Sequence, residues 1–155
     1  RSLTIVMFIL LLLVTAKAMG SELSDIVSQL KRHSAPTAVP ANELAPVLVS
    51  VAHFYRVPAT RLAALVLQES GGRAQAINNV THDYGLGQIN HRTATQYGIN
   101  KTCLMEWRCN IVVTAKLLAL TNGETCRYNV GQYRIITGRW VQRCADYESK
   151  LRNNG

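Results

Sequence analysis

The sequence predicts a single, mainly α domain with at most a small β element. Three observations lead there. Apolar residues recur at helical spacing over residues 42–55 and again over 58–69. Weaker helical patterns follow over 92–97, 106–120 and 139–152, with Gly, Asn and Thr clustered between them. Strand patterns are short, at residues 87–90 and 133–136. A length of 155 residues fits one domain around one core.

The elements follow in chain order. Residues 3–16 are almost wholly apolar and contain Ile9-Leu10-Leu11-Leu12-Leu13-Val14. Ala16-Lys17-Ala18 comes next, a small-x-small pattern. Together they read as a signal peptide over residues 1–18, which places the mature protein in the periplasm or outside the cell. The apolar stretch is shorter than the roughly 20 residues of a membrane span, so an uncleaved anchor is the weaker reading. Residues 19–41 read as a loose lead-in, with a short helix over 24–32 before Pro36 and Pro40 break regular structure. The domain proper then spans 42–152. Asn42 can cap a helix in which Leu44, Leu48, Val51 and Tyr55 share a face. Pro46 falls near its first turn, where proline is tolerated. The next helix starts near Pro58 and runs to Glu69, and Gly71-Gly72 stops it.

Charge and cysteines narrow the class. The net charge is +8, from 17 Lys and Arg against 9 Asp and Glu. Such a bias suits a polyanion, and an acidic wall polymer fits as well as nucleic acid. The longest basic run is Lys31-Arg32, and no basic helix or aromatic platform accompanies it, so no nucleic-acid partner is expected. Cys103, Cys109, Cys126 and Cys144 are an even set in an exported chain and read as disulfides. Three pairings are open. Cys103 with Cys109 and Cys126 with Cys144 are favoured, because each closes a local loop. No CxxC pair accompanies them, and His33, His53, His82 and His91 form no HExxH pattern, so no metal site is expected.

Glu69 is the odd residue of its helix. Leu62, Leu65, Val66 and Glu69 stand at i, i+3, i+4 and i+7 and share one face. A carboxylate that continues an apolar stripe at a helix end is expected to be half-buried. Burial disfavours its charged form. The negative end of the helix dipole pushes the same way. A carboxyl group that keeps its proton near neutral pH is what glycosidic cleavage needs, because the leaving oxygen must be protonated. Periodicity alone fits a surface glutamate in the last turn equally well.

The residues around Glu69 carry a resemblance. Glu69-Ser70-Gly71-Gly72 is followed by Tyr84-Gly85-Leu86-Gly87-Gln88-Ile89-Asn90, by Asn110-Ile111, and by Tyr128-Asn129-Val130-Gly131. In order and spacing these motifs resemble the soluble lytic transglycosylase family, which is related in fold to g-type lysozymes. The resemblance covers residues 43–135. It implies a lysozyme-like α-helical domain acting on peptidoglycan glycan strands. Glu69 would be catalytic, protonating the β-1,4 bond between N-acetylmuramic acid and N-acetylglucosamine. As a carboxylate it would then take the proton of the muramic 6-hydroxyl as that oxygen closes a 1,6-anhydro ring. No cofactor is required by such a reaction. Ser70, Gly85, Leu86, Gln88, Tyr128 and Asn129 would bind or orient the substrate. Gly85 and Gly87 leave room for a sugar ring, Gln88 offers a donor and an acceptor, and Tyr128 orients Glu69. Asn110 is a ligand contact or, more simply, a structural cap. The small size, leader and cysteines resemble members that accompany conjugation, type IV pilus or secretion machines, whose components are then expected partners of a monomer. Two departures stand out: Gly87 replaces a methionine common in the second motif, and Cys126-Arg127 replace small residues before Tyr128.

Other readings remain at this level. Asp83 can supply the second carboxylate of a lysozyme-type hydrolase, or cap the turn before Gly85. A non-catalytic peptidoglycan-binding assembly module would keep the groove without needing Glu69. Trp107 and Trp140 can stack on sugars, and Trp107 can equally anchor a disulfide loop.

Overall fold

The structure, a computed structural model, describes residues 2–121. Six helices and a small sheet fill that range, so the mainly α expectation holds. The helix over 139–152, the strand over 133–136, Trp140, Cys126, Cys144, Tyr128 and Asn129 lie outside the described residues.

The first helix, α1, runs Ser2–His33 without a break. The short helix expected over 24–32 is the end of α1, and the segment is packed where a loose lead-in was expected. Ile26 and Leu30 are fully buried, and Leu23 and Val27 pack beside them. The partner is α2, Ala41–Tyr55, which contributes Leu44, Leu48 and Ala52 to the same core. His53 of α2 meets Glu22 of α1 at 2.8 Å, at the edge of that contact. The start of α2 differs from expectation. Pro40 takes the cap position with no side-chain cap, Asn42 lies inside the first turn, and Pro46 sits within the helix. Val51 and Tyr55 are half-buried at its rim.

Helix α3, Ala59–Ser70, is the centre of the domain. Leu62, Ala63, Ala64, Leu65, Val66 and Leu67 are all buried in succession. The helix is therefore enclosed on every side, by α1, α2 and α6, and does not merely present a stripe. Pro58 occupies its N-cap. Gly71 ends it at φ 63°, in the left-handed region, and its amide donates to Leu67 O at 3.0 Å.

A three-stranded antiparallel meander follows: β1 Ile77–Asn78, β2 Asp83–Tyr84 and β3 Ile89–Asn90, in that spatial order. Tyr84 pairs with Ile77 on one side and Ile89 on the other. Asn78 Oδ1 accepts from the amides of Val80 and Thr81 and folds the first turn. The second turn is Gly85-Leu86-Gly87-Gln88, closed by the Gln88 amide on Gly85 O at 3.1 Å. Of the strand expected at 87–90, only Ile89–Asn90 is extended, as β3, and Gly87 and Gln88 belong to the turn.

Three helices complete the described chain: α4 His91–Gln96, α5 Lys101–Met105 and α6 Trp107–Ala119. Asn90, Asn100 and Glu106 cap them by accepting amide hydrogens of the first turns. The helix expected from residue 106 starts where predicted, and α5 is an extra turn before it. Cys103 and Cys109 form a disulfide across that corner, with a Cα–Cα distance of 5.3 Å. This is one of the two pairings favoured above. Trp107 is half-buried at the same corner, and its ring carries the Arg108 guanidinium at 4.0 Å.

Candidate active site

Glu69 occupies the last turn of α3, where the buried helix emerges. It is half-buried, as its position in the apolar pattern requires. It lines a cleft of about 550 Å3. One wall is Arg73, Ala74, Gln75, Ala76 and Ile77, the segment linking α3 to the sheet. Gln88 closes that side from the second turn of the meander. The opposite wall is Thr37, Ala38 and Val39, from the connection between α1 and α2.

Sequence reasoning missed that second wall. Backbone hydrogen bonds strap it to the end of α3: Ala35 N donates to Gly71 O at 2.8 Å, and Val39 N to Gly72 O at 2.9 Å. Both glycines are needed for this approach. A methyl group on Gly71 or Gly72 would press on Ala35 or Ala38 at 3.2 or 3.1 Å, and both residues hold positive φ. The signal was present in the Gly71-Gly72 pair, which does more than stop a helix.

Ser70 stands behind the cleft. Its hydroxyl donates to Val66 O at 3.0 Å and accepts from the Gly72 amide at 3.2 Å. It is buried and closes the helix end on which Glu69 sits. Gly85 and Leu86 also lie behind the wall. Leu86 is a core residue. Gly85 has φ 73°, and a side chain there would collide with the Asn110 amide and Leu104 O. Gly87 is backed by Thr114 in the same way. The space both glycines leave is filled by α6 and the Leu104 carbonyl of α5, not by a sugar. Thr114 also explains why methionine is absent at Gly87: the volume that a side chain would need is already taken.

Asn110 organises this contact. It is fully buried in α6. Its Nδ2 donates to Tyr84 O at 2.9 Å and to Leu104 O at 2.8 Å, and its Oδ1 accepts from the Gly87 amide at 2.9 Å. One side chain thus fixes both ends of the turn that presents Gln88. Gln88 itself has φ 45°, unusual for a residue with a side chain and a mark of a position held by its surroundings. Its Nε2 donates to Ala76 O and Gly85 O, both at 3.1 Å. Both amide hydrogens are therefore engaged, and Oε1, an acceptor, is what the side chain can offer a ligand.

Asp83 is placed apart from the cleft wall. It is buried between the strands, where Oδ2 accepts from Thr81 Oγ1 and Oδ1 accepts from Asn90 Nδ2 at 2.9 Å. Of the described residues lining the cleft, Glu69 is the sole carboxylate. Among the described residues no group of three His, Cys, Asp or Glu could hold a metal ion.

Residues 50–141 match the family model described as the transglycosylase SLT domain. The match spans more than half of the sequence. The chain belongs to the transglycosylase SLT domain family. The cleft with Glu69 and Gln88 lies inside the matched region, whereas the Thr37–Val39 wall precedes it. For an SLT domain, a transglycosylase-type, glycan-cleaving enzyme with peptidoglycan as substrate is the supported reading. Neither the curated proteins nor the solved structures include a significant match.

Proposed function

We propose that this SLT domain is a lytic transglycosylase in which Glu69 performs both proton transfers. One observation carries the reading. Glu69 stands half-buried at the end of an enclosed helix and faces a cleft whose described lining holds no second carboxylate. Half-burial and the negative helix end favour the protonated form that the first step requires. Glu69 gives its proton to the glycosidic oxygen as the muramic C1–O bond breaks. The positive charge that develops at C1 is met by the muramic 6-oxygen, which bonds to C1. The 6-hydroxyl proton passes to the Glu69 carboxylate and restores the acid. Atoms balance without water, so the reaction needs no base to activate one. That removes the role Asp83 would fill in a hydrolase, and Thr81 and Asn90 already engage both Asp83 oxygens. Gln88 Oε1 is positioned to accept from a sugar hydroxyl or acetamido N–H.

Export and assembly belong to the same proposal. The apolar N-terminus supports a cleaved leader, and the Cys103–Cys109 disulfide suits an oxidising periplasm or exterior. Cleavage after Ala18 would leave every α1 residue found in the core, from Leu23 to Leu30, on the mature chain. The expected role, opening the wall locally for a secretion, conjugation or pilus machine, rests on the leader and cysteines.

Glu69→Gln tests the assignment. The amide keeps the size of the side chain and cannot donate the proton. Lysis of purified wall should fall by about 10²–10⁴, the usual contribution of a general acid, with an unchanged melting curve. Retained lysis would point to another acid.

A further inference from the structure

We propose that Arg73 is the carboxylate-binding residue of the cleft and reads an acid on the 3-O branch of the muramic sugar. The inference rests on the peptidoglycan reading above and deepens it, from a glycan in the cleft to a glycan with an anionic branch.

Arg73 is the one basic side chain among the described residues of the lining. The side chain is exposed, and one hydrogen bond orients it. Nε donates to Ser70 O at 2.9 Å, at the end of the helix that carries Glu69. With Nε held, the two terminal nitrogens form the free edge of the guanidinium fork, the geometry that matches a carboxylate bidentately. No carboxylate lies within ion-pair distance of Arg73 among the described residues. Glu69 shares the lining with Arg73 and is the acid reserved for proton transfer; Asp83 is engaged by Thr81 and Asn90, and Glu106 by the Arg108 and Cys109 amides. Apart from Glu69, the polar side chains that share the lining with Arg73, those of Thr37, Gln75 and Gln88, are neutral and suit hydroxyl and acetamido groups.

An uncharged glycan has no use for such a fork, and N-acetylglucosamine carries no acid. N-acetylmuramic acid does, on its 3-O-lactyl branch. In intact strands that branch continues as a peptide whose side chains and terminus are carboxylates. In strands stripped of peptide, the lactyl group itself is the carboxylate. Both sources present the same chemistry to Arg73.

The test uses the full chain as wild type, Arg73→Gln, Arg73→Lys and Arg92→Gln. Arg92 is an exposed arginine of α4 outside the lining, so its variant controls for a lost charge. KM and kcat are measured on peptide-bearing strands and on amidase-stripped strands. Binding of an N-acetylglucosamine oligomer, which has no branch, is measured by calorimetry. Arg73→Gln should raise KM about tenfold relative to Arg92→Gln, consistent with losing a hydrogen bond to a charged group. It should leave kcat and oligomer affinity unchanged. Arg73→Lys should fall between, keeping charge without the fork. An effect on peptide-bearing strands alone assigns the stem acids, one on stripped strands alone assigns the lactyl acid, and one on both assigns either. A KM equal to that of Arg92→Gln on both substrates, or an equal loss of oligomer binding, overturns the proposal. Failure of the underlying reading looks different: the wild type itself would yield no anhydro ends.

Discussion

Asn110 is the residue whose importance was least legible in the chain. The sequence offers it as a cap or a ligand contact. Its partners, Tyr84 and Gly87, lie 26 and 23 positions away, and no local pattern encodes such a link. Removing the side chain leaves the Gly87 amide and the Tyr84 and Leu104 carbonyls buried without it. Asn110→Ala should therefore cost about 3 kcal/mol by chemical denaturation, since each orphaned buried group costs about 1–3 kcal/mol and the costs do not simply add. Asn110→Asp should fare no better, because it turns a donor facing two carbonyls into a second acceptor. At temperatures where either variant is folded, kcat should still be reduced, through a loosened Gln88. Gly87 makes the complementary case. Its place in a motif was visible, and the reason for glycine was not. Gly87→Ala should cost about 1–3 kcal/mol by overpacking against Thr114. Thr114→Ala in the same chain should recover part of that loss, which a double-mutant cycle measures. Strict additivity would remove Thr114 from the explanation.

Helices show a graded legibility. Helix α3 was read nearly to the residue, because Pro58, an apolar run and Gly71 mark its start, body and end. Helix α6 was read from its Glu106 cap onward. The segment before α2 reads as loose apart from a short helix over 24–32, because Ile26 and Leu30 make a weak pattern until α2 is set beside them. That segment turns out to supply both core and cleft wall. Leu30→Ala should destabilise the fold by about 2–5 kcal/mol, the range for a buried leucine. A chain starting at residue 19 should melt like one that keeps the leader helix. A chain starting at residue 42 should lose cooperative melting together with the Thr37–Val39 wall. If that shorter chain melts normally, the lead-in is dispensable and the wall is decoration.

Taken together, the domain is a helical core with a small sheet at one end, and the cleft lies where they meet. The mainly α class was legible because helical periodicity dominates the sequence. The ordered motifs located one side of the cleft, through Glu69 and Gln88. The other side could not be read, since it comes from a segment with no motif that meets Glu69 only after folding. Ser70, Gly85 and Leu86 were legible as special, and they form the frame behind the cleft. The dual role of Glu69 is tested most directly by mass spectrometry of the fragments released from purified peptidoglycan by wild type and by Glu69→Gln. The account predicts 1,6-anhydromuramic ends from the wild type and almost no product from the variant. Reducing muramic ends from the wild type, or anhydro ends released undiminished by Glu69→Gln, would contradict it.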